Sequence, residues 1–172
     1  LPFDELVSDR QQSDEQLQVD HQHNLSELEQ KLSADNKDKL NQFWQSKLIT
    51  GLSEEAKTRL NAAYPILING LLHSDLSEDA INVALPRMLT LLEAVSRRSI
   101  YLVMFAENPT AAAKLIPMLA ASPWIASELV SYPVLLDSFI REKYRHLPDK
   151  AELSDILRQQ LLRVEPNDEE GL

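Results

Sequence analysis

The densest cluster of side chains able to hold a metal is Asp20-His21-Gln22-His23. Imidazole and carboxylate groups suit zinc and its neighbours. Two histidines two residues apart fall on different faces of a helix, though, and a metal site needs rigid support behind its ligands. The polar surroundings supply none, so these residues read as a solvated segment. His73 and His146 belong to no nucleophile motif and read as helix-end residues. Carboxylates come in groups at Glu54-Glu55, Glu78-Asp79 and Asp168-Glu169-Glu170. Each group falls at an expected helix start, where the helix dipole already favours negative charge. No Asp-x-Asp pair follows a Gly-Ser or Gly-Gly turn, the arrangement that holds two Mg²⁺ in nucleotidyl transfer. Gly51, Gly70 and Gly171 are too scattered to cradle a phosphate. No catalytic, cofactor-binding or metal-ligating residue is assigned.

What remains is contact chemistry. Arg97-Arg98 precedes a strongly apolar run. One reading is an anion or partner contact. The other pairs Arg97 with Glu93 four residues back, and Arg98 with Glu107 if the fold brings them together. Trp44 and Trp124 could serve as interface anchors. Trp124 follows Pro123 in a tight junction and is expected in the core; Trp44 fits either place. Phe139 and Tyr144 could extend an apolar docking face from Trp44. Pro65 and Pro86 lie inside helical stripes and are candidate bend points.

These residues sit on a string of expected helices. Apolar positions recur every three to four residues from Leu25 onward, and no long run alternates with period two. Leu25, Leu28 and Leu32 start a short helix, and Leu40, Phe43, Trp44 and Leu48 mark the next. Ser53 caps a third, with the stripe Ala56, Leu60, Ala63, Tyr64, Leu67 and Leu71. Ser77 caps a fourth, with Ile81, Ala84, Leu85, Met88, Leu91, Leu92 and Val95. Residues 100–106 are apolar all round and predict a central buried helix. Asn108-Pro109, Ser122-Pro123 and Tyr132-Pro133 each open a short helix, because proline suits a first helical position. Pro148-Asp149 precedes a last helix with Leu153, Ile156, Leu157, Leu161 and Val164. The fold class is all-α, a compact multi-helix bundle. Residues 8–24, rich in Gln, Asp, Glu and Ser, predict a flexible N-terminal linker.

The 172 residues suffice for one ordinary domain with a core. A net charge of -10 works against a nucleic-acid partner. The absence of cysteine excludes disulfides and thiolate sites. No apolar run reaches the ~20 residues of a membrane span. A cytoplasmic location is expected. Leu1 in place of Met, and an acidic helix start at Glu165-Pro166-Asn167-Asp168 near the other end, suggest a middle segment with neighbours on both sides.

Five blocks carry a resemblance. They are Arg98-Ser99-Ile100-Tyr101-Leu102, Phe105-Ala106-Glu107-Asn108-Pro109, Ala120-Ala121-Ser122-Pro123-Trp124-Ile125-Ala126, Tyr132-Pro133-Val134-Leu135-Leu136-Asp137, and the stretch from Leu157-Arg158 to Glu170. In this order and spacing they resemble the middle of the bifunctional glutamine synthetase adenylyltransferases/adenylyl-removing enzymes. Residues 97–170 carry the match, and residues 25–96 match more loosely. Ser138-Phe139 and Arg141-Glu142-Lys143 depart from the family's usual pattern.

The resemblance implies a segment between two nucleotidyltransferase domains, one removing AMP from glutamine synthetase and the other adding it. It divides the chain into residues 1–24 (the end of a preceding domain and a linker), 25–164 (a helical central regulatory domain) and 165–172 (the start of a helix leading to the C-terminal catalytic domain). No catalytic residue can be carried over, and the segment is expected to need no cofactor of its own. ATP and magnesium would belong to the catalytic domains. The implied partners are those flanking domains, with PII protein, glutamine or glutamine synthetase as further ones. The implied role is to couple two opposed active sites in nitrogen regulation, the alternative being a module that itself captures one of the partners.

Overall fold

The computed structural model describes residues 2–140 and, beyond them, positions 151, 154, 155, 158, 159 and 162. Five serines set where helices begin. The Oγ atoms of Ser33, Ser46, Ser53, Ser77 and Ser122 each accept the amide N–H three residues on, at 3.1–3.4 Å. Each satisfies one of the amides that a helix start leaves unpaired. They open α2 (Ala34–Gln45), α3 (Lys47–Thr50), α4 (Glu54–Leu72), α5 (Glu78–Val95) and α8 (Pro123–Ser131). The acids expected in the first turns of α4 and α5 are there. Before them runs α1 (Pro2–Lys31); α6 (Ser99–Glu107) and α7 (Pro109–Ala121) lie between α5 and α8. Tyr132-Pro133 opens a short 3-10 helix (Pro133–Leu136), and α9 (Asp137–Ile140) follows. Among the described residues there is no strand, so the all-α expectation holds. The expected last helix stripe, His146 and residues 165–172 lie outside the described residues.

The helical stripes read from the sequence become one core. Leu60, Leu67 and Leu71 of α4 and Ile81, Leu85, Met88 and Leu92 of α5 all belong to it, fully or almost fully buried. Burying one such side chain stabilises by about 1.5–3 kcal/mol before chain entropy is counted. Helix α4 lies against α1, α6 and α7, while α5 lies against α2, α7 and α8. The two therefore form the centre of a compact bundle. Where α7 crosses α4, Gly70 has only a hydrogen: a Cβ there would meet Ile116 Cδ1 at 3.0 Å. The Asn69-Gly70 pair thus permits a close crossing and makes no hairpin.

Two expectations need correction. Residues 8–24, expected as a flexible linker, are helical and run unbroken into Leu25 within the thirty residues of α1. Residues 4–20 are nonetheless all exposed, so the small scope for burial was read correctly. The helix is supported locally. Gln, Glu and Leu are good helix formers, Asp4 and Glu5 suit the N-terminal dipole, and Gln16 donates to Asp20 at 3.0 Å. Lack of a core contact did not mean lack of structure. The second correction concerns α6. Tyr101, Leu102, Met104 and Phe105 are buried as expected, but Ile100 is 72% exposed, because only one side of this surface-edge helix faces α4.

The helices continue through Pro65 and Pro86. A proline leaves the carbonyl four residues earlier without its helical donor. For Pro86 that carbonyl belongs to Asn82, and Asn36 Nδ2 donates to it at 2.8 Å. The same Asn36 amide also donates to Asn82 Oδ1 at 2.8 Å. The Asn82 side chain accepts from the Ser33 amide at 2.8 Å and donates to the Lys31 carbonyl at 2.9 Å. One polar clasp therefore joins the end of α1, the start of α2 and the proline site of α5.

Candidate interaction sites

Trp44 on α2 is half-buried and part of an aromatic cluster. Its ring stands edge-on to Tyr64 of α4 at 4.8 Å between centroids and edge-on to Phe43 at 5.3 Å. Phe43 stacks on Tyr64 at 6.4 Å. These geometries suit the charge distribution of aromatic rings. Burial pushes the Tyr64 hydroxyl above its ordinary range; the Trp44 indole opposes this and the Glu29 carboxylate adds to it. The side chain of Phe139 and the whole of Tyr144 lie outside the described residues, so a face joining them to Trp44 is not described.

His21 closes the cluster from α1, edge-on to Tyr64 at 5.5 Å. Its Nδ1 is buried without a hydrogen-bond partner, and burial lowers its pKa from the ordinary value. His23 points elsewhere, to Glu27 at 3.2 Å. The two histidines therefore do not converge, and among the described residues no group of three His, Asp or Glu side chains could hold a metal ion. His73 sits at the end of α4 with Nδ1 3.0 Å from the Asn69 carbonyl, a helix-end position.

Pro86 is fixed by the Asn36–Asn82 clasp on one side. On the other it borders an open groove between α5 and α8, with a volume of about 350 Å³. Pro86, Arg87 and Thr90 of α5 face Pro123, Ala126 and Val130 of α8 across it. The Arg87 guanidinium donates to the Leu119 carbonyl at 2.5 Å and to Ala120 at 3.4 Å, capping the end of α7. Trp124, expected in the core, is 40% exposed in the first turn of α8. Ile125, Ala126 and Leu129 take the inward positions of that helix and leave Trp124 outside. Pro65 is half-buried within α4.

Arg97 and Arg98 are both exposed at the junction of α5 and α6. The ion pairs among the described residues join His23, Lys39, Lys57 and Arg59 to Glu27, Asp35, Glu54 and Glu55, all on α1, α2 and α4. Neither expected pairing, Arg97 with Glu93 or Arg98 with Glu107, forms. Beside Arg98 lies Tyr101, whose hydroxyl is pushed up by burial and by the Asp137 carboxylate, with Arg98 opposing. The clasp was not read from the sequence. Its one available signal was Pro86 four residues after Asn82, which announces a carbonyl in need of a donor.

No family model matches the chain. It is 40% identical over 144 residues to the bifunctional glutamine synthetase adenylyltransferase/adenylyl-removing enzyme of Acinetobacter baylyi, covering 81% of this chain and 15% of that protein. The enzyme of the same name from Hahella chejuensis is 40% identical over 129 residues, 74% of this chain and 13% of that protein. The one from Pseudomonas putida is 42% identical over 113 residues, 65% of this chain and 11% of that protein. The chain thus spans between 11 and 15% of the length of these relatives.

Proposed function

We propose that this chain, similar to a segment of the bifunctional glutamine synthetase adenylyltransferases/adenylyl-removing enzymes, acts as a helical connecting and regulatory region of such an enzyme. The observation that carries the reading is the match itself. A helical bundle corresponds to a small part of proteins named for two opposed activities, and the sequence holds no nucleotidyltransferase motif. In this reading ATP and magnesium act in other domains of the longer protein. The bundle sets how those domains stand relative to one another. Two opposed reactions on one target would cycle ATP wastefully if both ran, so a connector with two packings could favour one site over the other. A coupling of about 1–3 kcal/mol would suffice.

Calorimetric titration of the chain with each separately expressed catalytic domain tests the connector directly. Heat of binding to both domains supports it, and no interaction with either removes it. In the complete enzyme, disrupting the clasp with Asn36→Ala should change the ratio of adenylylation to adenylyl removal. Equal loss of both activities would point to unfolding.

A second reading has one observation in its favour. The α5–α8 groove, with Trp124 exposed beside it, has the character of a binding surface. In that reading the chain itself captures PII protein, glutamine or glutamine synthetase. Saturable binding of any of them to the isolated chain, lost in Trp124→Ala, would make it the better account.

A further inference from the structure

We propose that Arg97, Arg98 and Ile100 form a docking point for an acidic segment of a partner protein that also carries apolar side chains. Between Glu93 and Glu107 the chain has two arginines and no carboxylate, within a molecule of net charge -10. Both arginines are exposed, and neither forms an ion pair among the described residues. The four ion pairs described all lie within α1, α2 or α4. Arginine is the side chain suited to holding carboxylates in fixed geometry, through paired N–H donors. Next to the pair stands Ile100, 72% exposed, the most exposed of the large hydrophobic residues described. It sits there although Tyr101 and Leu102, its neighbours in sequence, are buried.

The two features together select the partner's chemistry. A small phosphate-bearing ligand would use the arginines and leave Ile100 in water. A nucleic acid carries about one negative charge per 1.7 Å along an extended duplex and would meet the negative charge of the rest of the molecule, whereas a short acidic segment need reach only the arginine pair. A carboxylate-rich protein segment with leucine-like residues would satisfy both cations and cover the isoleucine. The Asp137 carboxylate is near enough to affect the Tyr101 hydroxyl, to which the Arg98 side chain hydrogen-bonds, but it forms no ion pair with Arg98. This surface goes beyond the connector reading and does not depend on it.

The test titrates the chain, at low salt, with a labelled peptide of repeated Leu-Glu-Glu. Saturable binding is expected, weakened about tenfold in Arg97→Ala/Arg98→Ala and several-fold in Ile100→Ser. A Gly-Glu-Glu peptide of equal charge should bind several-fold more weakly than the leucine one. Melting curves of the variants should match the parent, because all three side chains are exposed. Binding unchanged in the arginine variant overturns the proposal. So does an unaffected Ile100→Ser variant from which inorganic phosphate displaces the peptide, which would make this an anion site. Binding that rises about tenfold when residues 165–172 are removed would assign the pair to the chain's own acids and overturn the partner.

Discussion

Two helix junctions in this molecule are built on opposite terms. Where α1, α2 and α5 meet, the Asn36 side-chain amide and the Asn82 side chain each have named partners, and the carbonyl freed by Pro86 has a donor. Where α5 meets α6, two arginines have no carboxylate and α6 begins without a side-chain cap. The first junction is closed and directs its polar groups inward, with Asn36 only 4% exposed. The second is open and directs its charges outward. Buried polar groups must be paired or the fold loses stability, whereas exposed charges carry little stability and remain free for recognition. The comparison predicts that substitutions at the closed junction act on folding, and those at the open junction on binding.

The largest effect should come from Asn82→Leu. It removes acceptors for Ser33 and Asn36 and the donor to the Lys31 carbonyl, leaving the buried Asn36 amide partly unpaired. A loss of about 2–4 kcal/mol in unfolding free energy is expected, measured by denaturant titration. Asn36→Leu should be comparably harmful, and the double variant less harmful than the sum, because the two side chains share their bonds. Additive losses would mean that the clasp does not act as a unit.

The aromatic cluster comes next. Trp44→Ala removes a half-buried ring that touches Tyr64 and Phe43, and should cost about 2 kcal/mol. A cost below a few tenths would return Trp44 to the surface role that its sequence also allowed.

His21 gives a pH test of how α1 docks. Its folded pKa is depressed by burial, so the folded chain binds fewer protons than the unfolded one as pH falls below the ordinary value of about 6.5. Its contribution is fully present above that value and is lost as pH drops through it toward the folded pKa. Stability of the parent should therefore fall more between about pH 7.5 and 5.5 than that of His21→Phe, which keeps an aromatic edge against Tyr64. Parallel pH profiles would show that the imidazole titrates no differently when folded.

The stripes of α4 and α5, their Ser53 and Ser77 caps and the proline-opened starts of α7 and α8 were all legible, because periodicity and end chemistry are local; the Ser33 and Ser46 caps were not read. Three larger features were not legible either. The α1 rod was missed because helix propensity and side-chain pairing can act without burial. Trp124 was placed inside because the sequence does not state how a short helix is turned about its axis. The clasp was invisible because Asn36 and Asn82 are forty-six positions apart, and only folding selects the donor for the carbonyl that Pro86 frees.

The smallest effect is the one that most sharpens the contrast. Arg97→Ala and Arg98→Ala, singly or together, should change unfolding free energy by less than about 0.5 kcal/mol. Neither side chain is buried or in an ion pair among the described residues. Arg98 has one further contact to weigh, its charge and its side-chain hydrogen bond at the Tyr101 hydroxyl, both of which favour ionisation. That influence is felt chiefly where tyrosine ionises, so a difference between Arg98→Ala and the parent should appear in an alkaline titration, with Tyr101 ionising at higher pH in the variant. At neutral pH the two melting curves should overlay. A drop above about 1 kcal/mol at neutral pH would show that the arginines support the fold, and the junction of α5 and α6 would then be closed by contacts of its own.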